Sequence, residues 1–245
     1  MNKYFEVDTS EATFKIFSQM HTLTLAFIIL IGIAFCLMRN KFKEEYKWRN
    51  GVRITLLVVL IVAEISYHTW LIINRAWSLK TSLPLHISDV AIYLSMVMLL
   101  LKSKKLLQFL YFVGLGSSIQ AMLTPTIGQY AFPHFRYIEF FAVHGGVFLS
   151  CIFMIAAYRF RPTIISLCVS FLFINVYGGF VFLMNRLLGS NYMYLMKKPK
   201  TGSALDILGS YPEYLFSLDM ILLVGFYLLF IPFWLSNRKV NFSRT

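Results

Sequence analysis

Charge is scarce in this chain. Only 14% of its 245 residues are Asp, Glu, Lys or Arg, while 58% are hydrophobic and mean hydropathy is +0.67. A water-soluble domain cannot be built from that mixture, because too few polar side chains remain to cover its surface. Acidic residues are scarcer still, 11 against 23 basic ones, giving a net charge of +12. The bases flank apolar runs and belong to no soluble module, so no nucleic-acid partner is expected. The excess instead suits anionic lipid at a membrane surface.

Other absences narrow the chemistry. There are three cysteines, Cys36, Cys151 and Cys168, all inside apolar runs, so neither a structural disulfide nor a cysteine nucleophile at the polar cluster described below is expected. The last apolar run contains no lysine, which excludes an ordinary retinal Schiff base. Neither a phosphate loop nor a dinucleotide fingerprint is present, and no cofactor is expected. Zinc is conceivable from His68, His86, His144 and a carboxylate, but no compact ligand spacing such as HExxH occurs, and no metal is assigned.

What the chain does have is seven apolar runs, at 22–38, 52–74, 84–101, 106–124, 136–157, 163–187 and 213–235. Each approaches or exceeds the roughly 20 residues that cross ~30 Å of hydrocarbon as a helix. The expected fold is all-α, a polytopic bundle of seven transmembrane helices. It divides into an extracellular or interfacial segment at 1–21, a membrane domain at 22–235 and a cytoplasmic tail at 236–245. The opening segment carries Phe5, Val7, Phe14, Ile16 and Phe17 among Glu6, Asp8 and Glu11, which reads either as a short interfacial helix or as a partly ordered terminus. Fourteen Lys and Arg fall on one side of the bundle and nine on the other. The positive-inside bias puts the amino terminus outside and the carboxyl terminus in the cytoplasm of a multi-pass cell-membrane protein.

The polar residues within the runs are concentrated toward one face. Glu64 and His68 lie one turn apart, as do His86 and Asp89. Gln120 and Thr124 close the fourth run, and His134, Arg136, Glu139 and His144 open the fifth. Arg136 and His144 share a helical face about 12 Å apart. Asn175, Asn185 and Arg186 rise through the sixth run; Asn191, Tyr192, Lys197, Lys198 and Asp206 follow in the next loop, and Asp219 sits two turns into the last run. Ionisable and amide groups are costly in hydrocarbon unless paired or facing water. Their gathering at one depth predicts a chamber open toward the outer leaflet.

Histidine beside carboxylate supports general acid–base chemistry. His86, Ser88, Asp89 and His144 are the candidate catalytic residues, with Ser117, Ser118 and Thr124 as further hydroxyls. The remaining polar residues of the cluster are candidates for binding substrate, and Arg136, Arg186, Lys197 and Lys198 suit a phosphate.

Several motifs carry a resemblance. Leu83-Pro84-Leu85-His86-Ile87-Ser88-Asp89, the Gln120 to Leu123-Thr124-Pro125 step, Phe132-Pro133-His134-Phe135-Arg136, Phe141-Ala142-Val143-His144-Gly145 and the 188–199 stretch together resemble the YwaF-type bacterial integral membrane proteins, over about residues 64–233. That group is distantly similar to eukaryotic transmembrane lipid acyltransferases, themselves akin to intramembrane lipid hydrolases. The resemblance implies a nucleophile near the start of one span working with a histidine on a later one. His144 matches that histidine, and 84–86 match the nucleophile's neighbourhood. Leu85 cannot attack anything, whereas Ser88 can, with His144 as base and His86 or Asp89 assisting; a non-covalent transfer with His86 or His144 as base is equally open. A membrane phospholipid or lipid-linked substrate is then the expected partner. Two other readings stand beside it. One is a transporter or receptor for a small polar solute, with Glu64, His68 and Asp219 as a proton relay. The other is a scaffold whose polar layers only fix helix register.

Overall fold

The computed structural model describes residues 3–7, 13–158, 160–198 and 207–242. Asp206 lies outside these residues, as do Asp8, Glu11 and three of the bases counted above, Arg159, Lys200 and Arg244. Among the described residues every regular element is helical. The helices are α1 (Gln19–Leu37), α2 (Arg39–Glu44), α3 (Tyr46–Ile73), α4 (Ile87–Leu101), α5 (Lys104–Leu123), α6 (Phe135–Tyr158), α7 (Ile164–Leu188) and α8 (Glu213–Phe242). Six are long and apolar enough to cross a membrane: α1, α3, α5, α6, α7 and α8.

The run at 84–101 departs from expectation. Its helix α4 begins only at Ile87 and has 15 residues, about 22 Å at 1.5 Å per residue. That falls short of the ~30 Å hydrocarbon layer. Pro84 precedes the helix rather than occupying its first turn. The helix starts at Ile87 because the Asp89 carboxylate accepts the His86 backbone N–H (3.1 Å), closing the first turn there. At the other end Lys102 takes the left-handed conformation (φ 54°) and stops the helix. Arg53 of α3 reaches across to donate to the terminal carbonyls of Leu99 (2.7 Å) and Leu100 (3.4 Å). A cation at the carbonyl end of a helix satisfies orphan acceptors and complements its dipole.

Helix α6 is the axis of the molecule. Fifteen of its 24 residues are buried, and it packs against α1, α3, α4 and α5. Close approach depends on a glycine pair. A Cβ on Gly145 would meet Ile28 of α1 at 2.8 Å, and one on Gly146 would meet Leu60 of α3 at 2.8 Å. Gly114 of α5 lies similarly close to Cys151 of α6, its missing Cβ 3.4 Å from the sulfur. Small residues at such crossings let backbones approach and gain dispersion contact, which drives helix association in lipid. Helices α7 and α8 lie at the periphery, packed on α5 and on each other. Their outward side chains, among them Leu172, Val176 and Leu183 of α7 and Phe216, Val224 and Leu228 of α8, are exposed apolar groups for lipid to cover. At Gly178 and Gly179 an added Cβ would meet open space, so neither supports a close helix crossing.

Among the described residues of the amino-terminal segment no α-helix precedes α1. A single 3-10 turn spans Lys3–Phe5, and the chain is fastened through its carbonyls. Trp70 Nε1 donates to Phe5 (2.8 Å), His134 Nε2 to Glu6 (3.0 Å), and Tyr130 Oη to Val7 (2.8 Å). The amide of Phe14 donates to Gly128 (2.8 Å). This segment therefore lies across the loop joining α5 to α6.

Candidate functional site

At the end of the bundle marked by that loop, a polar cavity of about 200 Å³ opens between α3, α4, α5 and α6. Its wall brings together all four candidate catalytic residues, His86, Ser88, Asp89 and His144, with Glu64, His68, Gln120, Arg136 and Glu139. These nine residues share one cavity, whereas others expected at the same depth do not reach it.

Each wall residue is held by its own helix. In α3, Glu64 and His68 share a face, with the His68 Nε2 3.3 Å from Glu64 Oε1. Tyr93 of α4 donates its hydroxyl to the same carboxylate oxygen (2.7 Å), and the Trp77 indole donates to His68 Nδ1 (3.2 Å). A four-residue chain results, from Trp77 through His68 to Glu64 and back out to Tyr93. In α6, Arg136 pairs with Glu139. The guanidinium lies 4.2 Å from the Tyr67 ring centroid and 5.4 Å from that of Phe140. A cation so placed over aromatic faces remains charged and directed while partly dehydrated.

The ring nitrogens of the five histidines sort by partner. An indole or backbone N–H only donates, so a nitrogen receiving one is an acceptor and the other nitrogen of the neutral ring carries the proton. His21 Nδ1 receives the Phe17 amide (2.9 Å), His68 Nδ1 the Trp77 indole (3.2 Å), His86 Nδ1 the Met193 amide (3.2 Å) and His134 Nδ1 the Arg136 amide (3.0 Å). All four are therefore Nε2–H tautomers. His86 is a hydrogen-bond donor in its neutral form, which does not suit the role of base. His144 differs. It packs 4.3 Å from the Phe140 ring, lines the cavity, and its buried Nδ1 has no hydrogen-bond partner. It is the histidine left uncommitted by the fold.

Other candidates sit elsewhere. His134 lies on the mouth loop, stacked on Tyr130 (centroids 4.5 Å apart) and bonded to Glu6; burial lowers its pKa below the ordinary histidine value, partly offset by that carbonyl. Asn185 is a loop anchor, its amide donating to the Tyr192 carbonyl (2.9 Å) and its oxygen accepting the Tyr192 amide (2.7 Å). Asn191 fastens the same loop to the amide of Met196 and the carbonyl of Lys197. Tyr192 is buried, donating to Leu79 (2.9 Å) and accepting from the Leu83 amide (2.9 Å), and burial raises its phenol pKa. Asn175, Arg186 and Lys197 are exposed, and Asn175 donates to its own helix at Phe171. Lys198 sits over the Tyr214 ring. Asp219 and the hydroxyls of Ser117 and Ser118 are also outside the wall, as are the three cysteines.

Sequence reading missed part of the wall. Tyr67, Thr126 and Tyr194 line the cavity, while Tyr93 and Trp77 stand just behind it. Tyr93 was detectable, since it lies one turn beyond Asp89 on the same helix. Tyr194 was not, because it reaches the wall through a turn in which Met193 and Tyr194 both take positive φ (56° and 54°). The Tyr194 carbonyl accepts a hydrogen bond from Tyr214 of α8, tying that turn to the periphery. Among the described residues, no three His, Cys, Asp or Glu side chains assemble as a metal-ligand set.

The arrangement combines a half-buried cation, an uncommitted imidazole, a hydroxyl and several carboxylates in one small chamber within an apolar bundle. No curated protein and no solved structure matches the chain. The sequence profile of the TMEM164 family matches residues 16–230, which span every wall residue and nearly the whole helical bundle. This multi-span membrane protein belongs to the TMEM164 family.

Proposed function

We propose that the cavity is the active site of a lipid-modifying enzyme that transfers an acyl group from a phospholipid ester or hydrolyses that ester. The observation that carries this reading is His144, whose buried Nδ1 has no hydrogen-bond partner and whose side chain lines a chamber shared with Ser88 and Arg136. Leaving a buried imidazole nitrogen without a partner costs stability, and such a group is the one able to accept a proton from substrate or nucleophile.

In this reading His144 takes the proton from the Ser88 hydroxyl as Oγ attacks the ester carbonyl carbon. The tetrahedral adduct collapses, the ester C–O bond breaks, and His144 returns the proton to the departing alkoxide. A second alcohol, or water, then gives its proton to His144 and attacks the acyl group on Ser88. The acyl group leaves on the incoming oxygen and the Ser88 hydroxyl is restored. Arg136 holds the phosphate, and His86, as an Nε2–H donor, is suited to bind developing negative charge. The solute-transporter reading is less well supported, since Asp219, the third member of its relay, is not in the wall.

The same proposal includes seven crossings, with α4 completing its passage through the non-helical 81–86 segment. The amino terminus and cavity face outward at the cell membrane. Non-helical backbone at membrane depth is tolerated where it lines a cavity, and Thr81, Ser82, Leu83 and Pro84 line this one. Cysteine accessibility at positions 79 and 103 from either side tests the orientation.

The decisive assay uses the purified protein in proteoliposomes with phospholipid labelled in its acyl chains. Loss of a general base lowers turnover by about 10²–10⁴-fold, so His144→Gln should do so, while Ser88→Ala should abolish a trapped acyl-protein adduct. Unchanged acyl release by both folded variants would overturn the assignment.

A further inference from the structure

A second hollow lies at the opposite end of the bundle from the polar cavity. It has a volume of about 530 Å³, inside the ~300–1,000 Å³ range of small-molecule sites. Its walls come from α1, α3 and α6 and are almost entirely apolar: Ile31, Phe35, Val52, Leu56 and Leu149. No atom lies within 4 Å of where a Gly51 Cβ would project, so the glycine leaves an open slot in α3.

The rim is basic. Lys47 lines the hollow, is exposed, and makes no hydrogen bond or ion pair among the described residues. Beside it, Lys41 of α2 lies 4.0 Å from the Trp48 ring centroid, and Trp48 itself lines the hollow. Helix α2 is seated by Phe42, fully buried against Phe35 and Phe153, which leaves Arg39 and Lys43 exposed. Arg49 is engaged with the Phe42 carbonyl (3.1 Å). Glu44 and Glu45 are the acids of this stretch, against six bases between Arg39 and Arg53.

We propose that this hollow is a binding site for an anionic membrane phospholipid, with one acyl chain in the apolar slot over Gly51 and the phosphate at Lys47. Three features fit that occupant together. The slot opens sideways from helices whose outer faces are apolar, so its neighbour is hydrocarbon. An interfacial tryptophan marks the level where headgroups lie. The cations cluster at that level and nowhere along the slot. The site is independent of the catalytic reading above and requires only that the bundle sit in a bilayer.

Native mass spectrometry of the purified full chain, released from micelles holding equal phosphatidylglycerol and phosphatidylcholine, tests this. The wild type should retain phosphatidylglycerol preferentially. Lys47→Gln should lower that preference about fivefold, as expected for roughly one juxtamembrane cation, while Lys47→Arg preserves it. Gly51→Trp should abolish retention of both lipids by filling the slot. Should that variant fail to fold, as read by its thermal unfolding without lipid, Thr55→Phe one turn further along replaces it. Equal retention of the two lipids, a preference indifferent to Lys47→Gln, or undiminished retention in the filled variant overturns the proposal. So does a wild-type dimer that Gly51→Trp dissociates, which would make a second copy the occupant.

Discussion

The ion pair of Arg136 and Glu139 offers a way to separate folding from function. The two side chains are 19% and 3% exposed. Removing one member of a pair so placed strands the other charge, at a cost of about 3–5 kcal/mol. The two single losses should be unequal. Arg136→Met leaves Glu139 with almost no access to water, and belongs at the upper end. Glu139→Leu leaves a guanidinium that still rests on Tyr67 and Phe140, contacts contributing about 0.5–2 kcal/mol, and belongs at the lower end. The double variant has no stranded charge and should return to within about 1 kcal/mol of wild type, or exceed it. Reversible unfolding in mixed micelles, titrated with a denaturing detergent, gives the four stabilities and the coupling energy of the cycle. Coupling below about 0.5 kcal/mol would refute the pairing, since that is the additivity of independent sites. Acyl release by the stable double variant then reads Arg136's binding role without a folding defect, and full activity there would remove Arg136 from the phosphate site.

Three further outcomes follow from the packing. Gly146→Ala drives a methyl against the fully buried Leu60 and should cost about 1–3 kcal/mol in the same unfolding assay, with Leu60→Ala in the double variant relieving part of it. Tyr192→Phe removes the hydroxyl that bridges Leu79 and Leu83; the lost bonds and the exposed need of the Leu83 amide should cost about 1–3 kcal/mol and speed hydrogen exchange across 79–86. His134 has a folded pKa lowered below its ordinary 6.5, so the unfolded chain binds its proton more readily. Its contribution is present above pH 6.5 and is lost as pH falls from there through the folded value, because protonation of Nδ1 displaces the Arg136 amide. Exchange at the Arg136 amide should therefore rise, relative to its intrinsic rate, on acidification, and His134→Gln should flatten that response.

Hydropathy exposed the crossings because membrane insertion is a local requirement that each long helix meets by itself. It overstated α4 because Leu83, Pro84 and Leu85 count as apolar whether or not they are helical. The start at Ile87 depends on Asp89 turning back to the His86 amide, a side-chain choice that a sliding window does not register. The polar cavity was legible for a related reason: depth along a helix follows from residue number, and costly groups at one depth must share a refuge. Rotation about the helix axis does not follow from number alone. Asn175 has the right depth yet points outward, satisfied by the Phe171 carbonyl. Asn185, Asn191 and Tyr192 read as ligands because they are polar and clustered, whereas their amides and hydroxyl are consumed in holding a loop. The histidine tautomers depend on tertiary donors such as the Met193 amide, 107 residues from His86, and could not be read from the sequence.

The grip of Arg53 on the far end of α4 has a mechanical meaning. With its Leu99 terminus clamped and its other end tied through His86 to the Met193 amide and through the Leu85 carbonyl to Tyr177, the short rod is held at both tips. The opposite tip carries His86, Ser88 and Asp89, about 15–20 Å away by the helical rise. Loosening the Arg53 clamp would therefore be felt at the far end of the rod, in the cavity wall that Ser88 and Asp89 share with His144.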